Sequence, residues 1–472
     1  MTISTHGALS RLHKFTGVII APFLIVAALS GFLYALAPTF EPWIYHDEVT
    51  ATAQGSPRSL DEQIAAAQRQ HPDGTVVRVE PSEDPQETTR VLFDDPTAPN
   101  SSYSRAVFVD PVDLHITGEL QQYGGSRALP FRTGASNGHR TLWLGEPGRL
   151  YAELAASWLG ALSILGLYLW LKRKQRNKKQ PSKVLALHAR VGAWLLPGFL
   201  FLTVTGLTWS LVAGTSIGKV REELNWKEPS VATSVAEAGA SAGVGEHAGH
   251  SGHAVHAGHA GHARHTGHHD AAHTGHHDAA ELAGAQTALS AARSQGLTGV
   301  LEMTPPEKPG DAWGVREGRA AFKLRSDAVA VTPNGEVIDR INSADWPLAA
   351  QLTSWLIQLH MGTLFGIYSQ VALAVLALGL LVVSIAGLWM WWIKARRSLP
   401  ELKFTPAVLA GVVAYSIIAP LFGASLLLFF LGDWIVRCLR APQRGRGAAA
   451  SETTLRPRGE FSSRSLSTVR NG

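Results

Sequence analysis

Apolar residues fall in long blocks along this chain. Four runs, 15–36, 152–171, 193–212 and 367–393, each approach or exceed the about 20 helical residues needed to cross roughly 30 Å of hydrocarbon. A fifth block, 404–436, carries Pro420 and Gly423 near its middle, which predicts one kinked span or a hairpin of two short helices. Between these blocks the pattern changes. "AVFVDPVDLHITGEL" from Ala106 and "AVAVTPNGEVIDRI" from Ala328 each read as a strand, a turn and a second strand, with Pro111 and Pro333 in register. Ahead of them, "SLDEQIAAAQRQ" and "AQTALSAARSQ" read as short helices.

The chain is therefore written twice, as span, small α+β domain, span. The spacings of histidine and glycine repeat with it. His13 precedes Gly17 by 4 residues and Gly31 lies 14 further on; His188, Gly192 and Gly206 repeat those intervals. His139 precedes Gly145 by 6 and Gly166 lies 21 further on; His360, Gly366 and Gly387 repeat them. The second half is longer by 46 residues between its histidines, because a low-complexity insert, 247–278, sits in its loop.

Composition fits a membrane protein. Of 472 residues, 46% are hydrophobic and 17% charged, and the net charge of +5 comes mostly from basic runs beside the apolar blocks. Those runs, Arg11 and Lys14, "KRKQRNKKQPSK" and "KARR", read as topology signals rather than as a nucleic-acid surface, and put residues 1–14, 172–192 and 394–397 in the cytoplasm. Segments 37–151 and 213–366 then lie outside it, and a basic tail, 437–472, has the composition of a disordered segment. "ALA" at 35–37 would suit a signal peptidase, but the run before it is long and its spacing recurs in the third span, so residues 1–36 are expected to stay as a helix. One cysteine, Cys438, excludes an internal disulfide and an all-thiolate metal site. The expected fold is mainly α: a duplicated bundle of four core transmembrane helices plus a C-terminal kinked helix or hairpin, with two small α+β domains.

His13 and His188 both open a span from the cytoplasmic side. His139 and His360 both precede a span entered from outside. Each pair takes one residue from each half. A lone histidine at a helix end is commonly an interfacial residue, but two imidazoles at one level of a bundle make an axial pair for haem iron. The nearby glycines would leave room for a flat macrocycle, and equally serve close helix packing. A bare metal ion is the alternative at each pair, though it would want further ligands. His6, His46, His71 and His115 have no such counterpart and read as surface or loop residues.

Twelve of the 20 histidines stand in one tract: His247, His250, His253, His256, His259, His262, His265, His268, His269, His273, His276 and His277. Spaced by Ala, Gly and Ser, they cannot build a core, and they suit loose, unselective binding of transition-metal ions. Drift of a simple repeat in a tolerant loop is the other explanation.

The L-H-x-x-x-G opening span, the "VFVDP" segment, the H-x5-G before spans two and four, and the closing "WMWW" resemble the PepSY-associated transmembrane family, often called iron-regulated membrane proteins. The resemblance covers about residues 8–436 and implies PepSY-like outer domains. It includes bacterial inner-membrane reductases of ferric siderophores that carry haem between their helices. It thus implies two haem b groups held by His13 with His188 and His139 with His360, a quinol or cytoplasmic reductant as donor, and a ferric siderophore or other metal chelate as acceptor. A membrane protein that binds or senses metal, or restrains a protease, without catalysis is the competing expectation.

Overall fold

The computed structural model describes residues 5–175, 182–234, 282–308, 310–394 and 405–440. The histidine tract and the tail beyond 440 lie outside these residues. In chain order the helices are α1 (Thr5–Ile44), α2 (His46–Val49), α3 (Leu60–Gln70), α4 (Pro130–Thr141), α5 (Glu146–Gln175), α6 (Lys183–Trp194), α7 (Leu196–Leu207), α8 (Ala213–Glu223), α9 (Ala285–Ser294), α10 (Leu348–His360), α11 (Ile367–Lys394), α12 (Pro406–Ile418) and α13 (Pro420–Arg440). The strands are β1 (Val76–Glu80), β2 (Thr89–Asp94), β3 (Tyr103–Val109), β4 (Ile116–Tyr123), β5 (Leu301–Thr304), β6 (Trp313–Glu317), β7 (Ala328–Val331) and β8 (Val337–Ile341).

Among the described residues, three helices are long and apolar enough to cross a bilayer, α1, α5 and α11, and α6 with α7 makes a fourth if the bent pair is one span. The third expected span is broken. Helices α6 and α7 meet at 61° around Leu195, where Pro197 starts α7 and has no N–H to continue the ladder from α6. His188 therefore sits inside α6 rather than at the lip of a straight span, and His13 lies two turns into α1. The fifth block is two helices. Ser416 and Gly423 are seven residues apart, about 10.5 Å along a continuous helix, yet a Cβ at Gly423 would lie 2.7 Å from that of Ser416. The chain folds back at Ala419–Pro420 as a hairpin, and α13 continues to Arg440, past the expected tail boundary at 437.

Small residues line the interior of the bundle. Ala21, Ala28 and Ala35 of α1 and Ala374, Ala377 and Ala386 of α11 are buried, so the two backbones approach closely. The outer stripe of α11, Val371, Val375, Leu378, Val382 and Ile385, is exposed and apolar at alternating steps of four and three, as a lipid-facing side requires. The hairpin is tied on by polar contacts: Tyr415 Oη donates to Ser157 O at 2.6 Å, Trp158 Nε1 donates to Ser425 Oγ at 3.0 Å, and Arg11 pairs with Asp433 at 2.8 Å.

The two expected α+β domains are present as strand sets but are joined. All eight strands form one antiparallel sheet in the order β4-β3-β2-β1-β5-β6-β7-β8, with Val79 of β1 opposite Met303 of β5 at the joint. One apolar core, including Ile64, Val79, Phe93, Ala288, Met303 and Trp313, runs under both sets. Both strand–turn–strand readings hold, and each hairpin carries a register irregularity at the same place, Phe108/Val109 and Ala330/Val331. The helices cap each other. Asp61 in the first turn of α3 accepts from Ala285 N and Gln286 N, and Gln286 of α9 accepts from Leu60 N at 2.8 Å. Ser59 and Glu62 complete a reciprocal capping box on α3. Edge pairing removes two exposed sheet edges at once, which two separate domains would have left open to solvent.

Candidate functional site: two facing histidine pairs

The bundle brings the four histidines together as two pairs. The rings of His13 (α1) and His188 (α6) have centroids 6.2 Å apart and planes at 82°. The rings of His139 (α4) and His360 (α10) have centroids 6.3 Å apart and planes at 58°. Among the described residues, no third His, Cys, Asp or Glu joins either pair to make a metal-binding group. Along α1, residue 13 and residue 31, which touches His139, are separated by about 27 Å at 1.5 Å per residue. The two pairs thus stand near opposite ends of the bundle.

Two of the rings are oriented from behind by a helix backbone. His139 Nδ1 lies 2.9 Å from Ala27 O, and His188 Nδ1 lies 2.9 Å from Val383 O. A carbonyl only accepts, so in both rings Nδ1 carries the proton and Nε2 keeps its lone pair. His360 Nδ1 is 2.6 Å from Thr205 Oγ1. The His13 ring turns towards the Leu162 carbonyl, but its Nδ1 falls outside hydrogen-bond geometry. Trp209 meets His360 edge-on at 5.4 Å and closes that side.

The glycines divide into those that face neighbouring helices and those that face the histidines. Gly17 and Gly192, four residues from His13 and His188, face Leu162 and Val383 rather than a ring. Gly145 and Gly366 have φ of +67° and +53° and make the turns into α5 and α11. The distant glycines are the ones that touch the histidines. A Cβ on Gly31 would lie 3.1 Å from His139 Cε1 and Nδ1, one on Gly166 3.3 Å from His13 Cε1, and one on Gly387 3.6 Å from His188 Cε1. Each stands four residues after the carbonyl its histidine faces. The absent side chain opens the helix surface, so an imidazole can reach a backbone carbonyl. At the fourth position Thr205, next to Gly206, supplies a hydroxyl instead. The glycines therefore make room for imidazoles; space for a macrocycle is a separate matter.

Two supporting residues carried no clear signal in the sequence. Thr205 looks like any small residue in an apolar run. Glu153 is 2% exposed within α5 and accepts from Val212 N and Ala213 N, which caps the start of α8. A carboxylate inside an apolar helix was the available clue. Three further histidines stay apart from the pairs: His71 Nε2 lies 2.9 Å from Glu119 Oε1, His46 bonds Thr50, and His6 lies 6.1 Å from the ring of Tyr168.

The family model for the PepSY-associated TM region matches residues 10–394. The chain belongs to that family. It is a PepSY-associated membrane protein, and the match covers both histidine pairs, the sheet and the helices α1 to α11. No curated protein matches the chain significantly.

Proposed function

We propose that this PepSY-associated protein holds two haem b groups and carries electrons across a bacterial inner membrane to a metal complex outside, a ferric siderophore being the acceptor the family resemblance implies. The separation of the paired rings carries the reading. Metal–nitrogen bonds of about 2 Å, with each ring centre about 1.1 Å behind its nitrogen, put two imidazoles on one metal about 6.2 Å apart. The observed 6.2 and 6.3 Å fit that requirement. Two imidazoles alone are too few for a bare zinc or iron ion, whereas a macrocycle supplies the other four ligands. Held by these histidines, a haem would supply one-electron transfer rather than oxygen binding.

The chain's own groups then do the positioning. Ala27 and Val383 fix the tautomers of His139 and His188, Thr205 orients His360, and Gly31, Gly166 and Gly387 admit the rings. We read the chain as a duplication. The equal histidine–glycine intervals, the matching hairpin irregularities and the sheet joined midway between its halves all favour that reading. The basic segments 172–192 and 394–397 would face the cytoplasm. His13 and His188 would then lie nearest the donor, a quinol or a cytoplasmic reductant, and the sheet would face the outer complex. One electron converts ferric to ferrous iron, which hard oxygen ligands hold far less tightly.

The test is a reduced-minus-oxidised spectrum and a pyridine haemochrome assay on protein from haem-replete cells, with two haems per chain expected. His13→Ala and His188→Ala should each remove one centre, and His139→Ala and His360→Ala the other. Electron delivery to an outer ferric chelate should fail in all four. Wild-type protein without haem would overturn the proposal. Loss of the same centre in His13→Ala and His360→Ala would overturn the pairing.

A further inference from the structure

A groove of about 570 Å³ opens between the C-terminal end of α5 and the helix α6, inside the range of roughly 300–1,000 Å³ typical of ligand clefts. Trp170 and Lys174 line it from α5, and Ala186, Ala189, Arg190 and Ala193 from α6. At about 100° per residue those four α6 positions make one stripe, and His188 lies about 150° away around the helix. The groove is therefore on the far side of α6 from the inner histidine pair. Its charge is one-sided. No Asp or Glu stands among the described residues of its wall, and none occurs in the sequence between Glu153 and Glu222.

Arg190 is exposed and lies about 10 Å beyond Lys183 along the apolar helix α6. An arginine at that depth needs an anion, or a path for its head group to the interface. Lys174 stands at the other wall, its ammonium 5.8 Å over the ring of Trp170. Further from the basic end the wall is apolar, with Leu167, Ala193 and the 81% exposed Trp194. The first half of the chain covers the corresponding face with protein. The His13–His188 repeat aligns Ala186 with Arg11 and Arg190 with Phe15. There α13 brings Asp433 to Arg11 at 2.8 Å and Phe429 to Phe15 at 5.2 Å, a carboxylate and an apolar side chain together. Among the described residues, none of α12 or α13 lines the groove on α6, so an anion and an apolar cover are both wanting there.

We propose that this groove is a binding site for an anionic phospholipid, its phosphate held between Arg190 and Lys174 and its acyl chains laid along Leu167, Ala193 and Trp194. A guanidinium takes phosphate oxygens through parallel N–H bonds, and an ammonium adds a point charge. The level fits a headgroup. Helix α5 turns from apolar to basic at Leu171–Lys172, where a spanning helix leaves the hydrocarbon, and tryptophans favour that depth. Basic pockets between spanning helices suit anionic headgroups for the same reason. The inference does not rest on the haem reading, because its readout needs no cofactor.

The experiment titrates phosphatidylglycerol or phosphatidylcholine into the full-length protein in detergent and resolves individual lipid adducts by native mass spectrometry. The first phosphatidylglycerol should bind more tightly than the first phosphatidylcholine. Arg190→Gln and Lys174→Gln should each weaken that first site about 5-fold, as loss of one charge near a headgroup implies. Ala189→Leu fills the groove without changing its charge and should weaken the site too; it serves if Arg190→Gln does not fold. Lys183→Gln removes a charge outside the groove wall and should leave the first site unchanged. Excess glycerol 1-phosphate should not displace the lipid. Displacement by it would assign the groove to a soluble phosphate and overturn the lipid site. Equal affinity for the two lipids, or a loss in Lys183→Gln as large as in Arg190→Gln, would overturn it as well.

Discussion

The imidazole of His139 rests against Gly31, at 3.1 Å from where a Cβ would stand, and reaches past it to the carbonyl of Ala27. A single hydrogen atom in place of a side chain thus sets the position of a buried histidine 108 residues further along the chain. Gly31→Leu should push His139 off its carbonyl and abolish the outer centre while leaving the inner one. Overpacking here should also cost about 1–3 kcal/mol. Gly192→Ala, whose Cβ would meet Val383 at an ordinary 4.0 Å, is the control and should leave both centres in place. Absorbance of the two variants after equal haem supply checks this.

Arg11 and Asp433 join the first helix to the last at 2.8 Å, with side-chain exposures of 6% and 19%. Removing one partner takes the 2.8 Å counter-charge away from a mostly buried group. Asp433→Asn should lower stability by about 2–4 kcal/mol. Replacing both, Arg11→Met with Asp433→Leu, should recover much of that loss. A double-mutant cycle on thermal unfolding in one detergent measures the coupling, and additive losses would refute it.

Asp110 ties the loop after α2 to the sheet. It is 1% exposed and accepts from Thr52 N at 2.8 Å, Ala53 N at 3.0 Å and Val112 N at 2.9 Å. Burial acts to raise its pKa, but the three backbone donors outweigh burial and hold it below the usual carboxylate value. A depressed pKa contributes stability that is present above the unfolded value of about 3.9 and is lost as pH falls through the folded value. Wild-type protein should therefore lose stability below about pH 4, and Asp110→Asn should lose about 1–3 kcal/mol at pH 7 with a flatter acid limb. Unfolding curves from pH 3 to pH 7 decide the matter.

The histidine tract is expected to act apart from the bundle. Deleting 247–278 should reduce the number of copper, zinc or nickel ions bound per chain and leave the visible spectrum intact. Equilibrium dialysis with each metal, beside an absorbance spectrum of the same sample, tests both halves of that statement. Loss of the spectrum on deletion would show that the tract supports the bundle.

Local pattern alone determined much of this protein. Long apolar blocks mark α1, α5 and α11, because a bilayer demands an unbroken run of apolar residues. Short strand-like runs on either side of a turn, with Pro111 and Pro333 in register, mark β3 with β4 and β7 with β8, because β-branched residues flanking a turn favour a hairpin. Equal intervals marked His13 with His188 and His139 with His360 as comparable before any contact was known. Tertiary structure decided the rest. Helix α4, "PFRTGASNGHRT", has two glycines, and the face it buries carries Arg132, Thr133, Ser136 and Gly138 rather than large apolar residues, so helix propensity carries no signal there. The joint between β1 and β5 depends on two edges meeting across more than 200 residues, and no local pattern encodes which edge finds which. The role of Gly31, Gly166 and Gly387 needed a partner helix to become visible, because a missing side chain has meaning only against what fills its place.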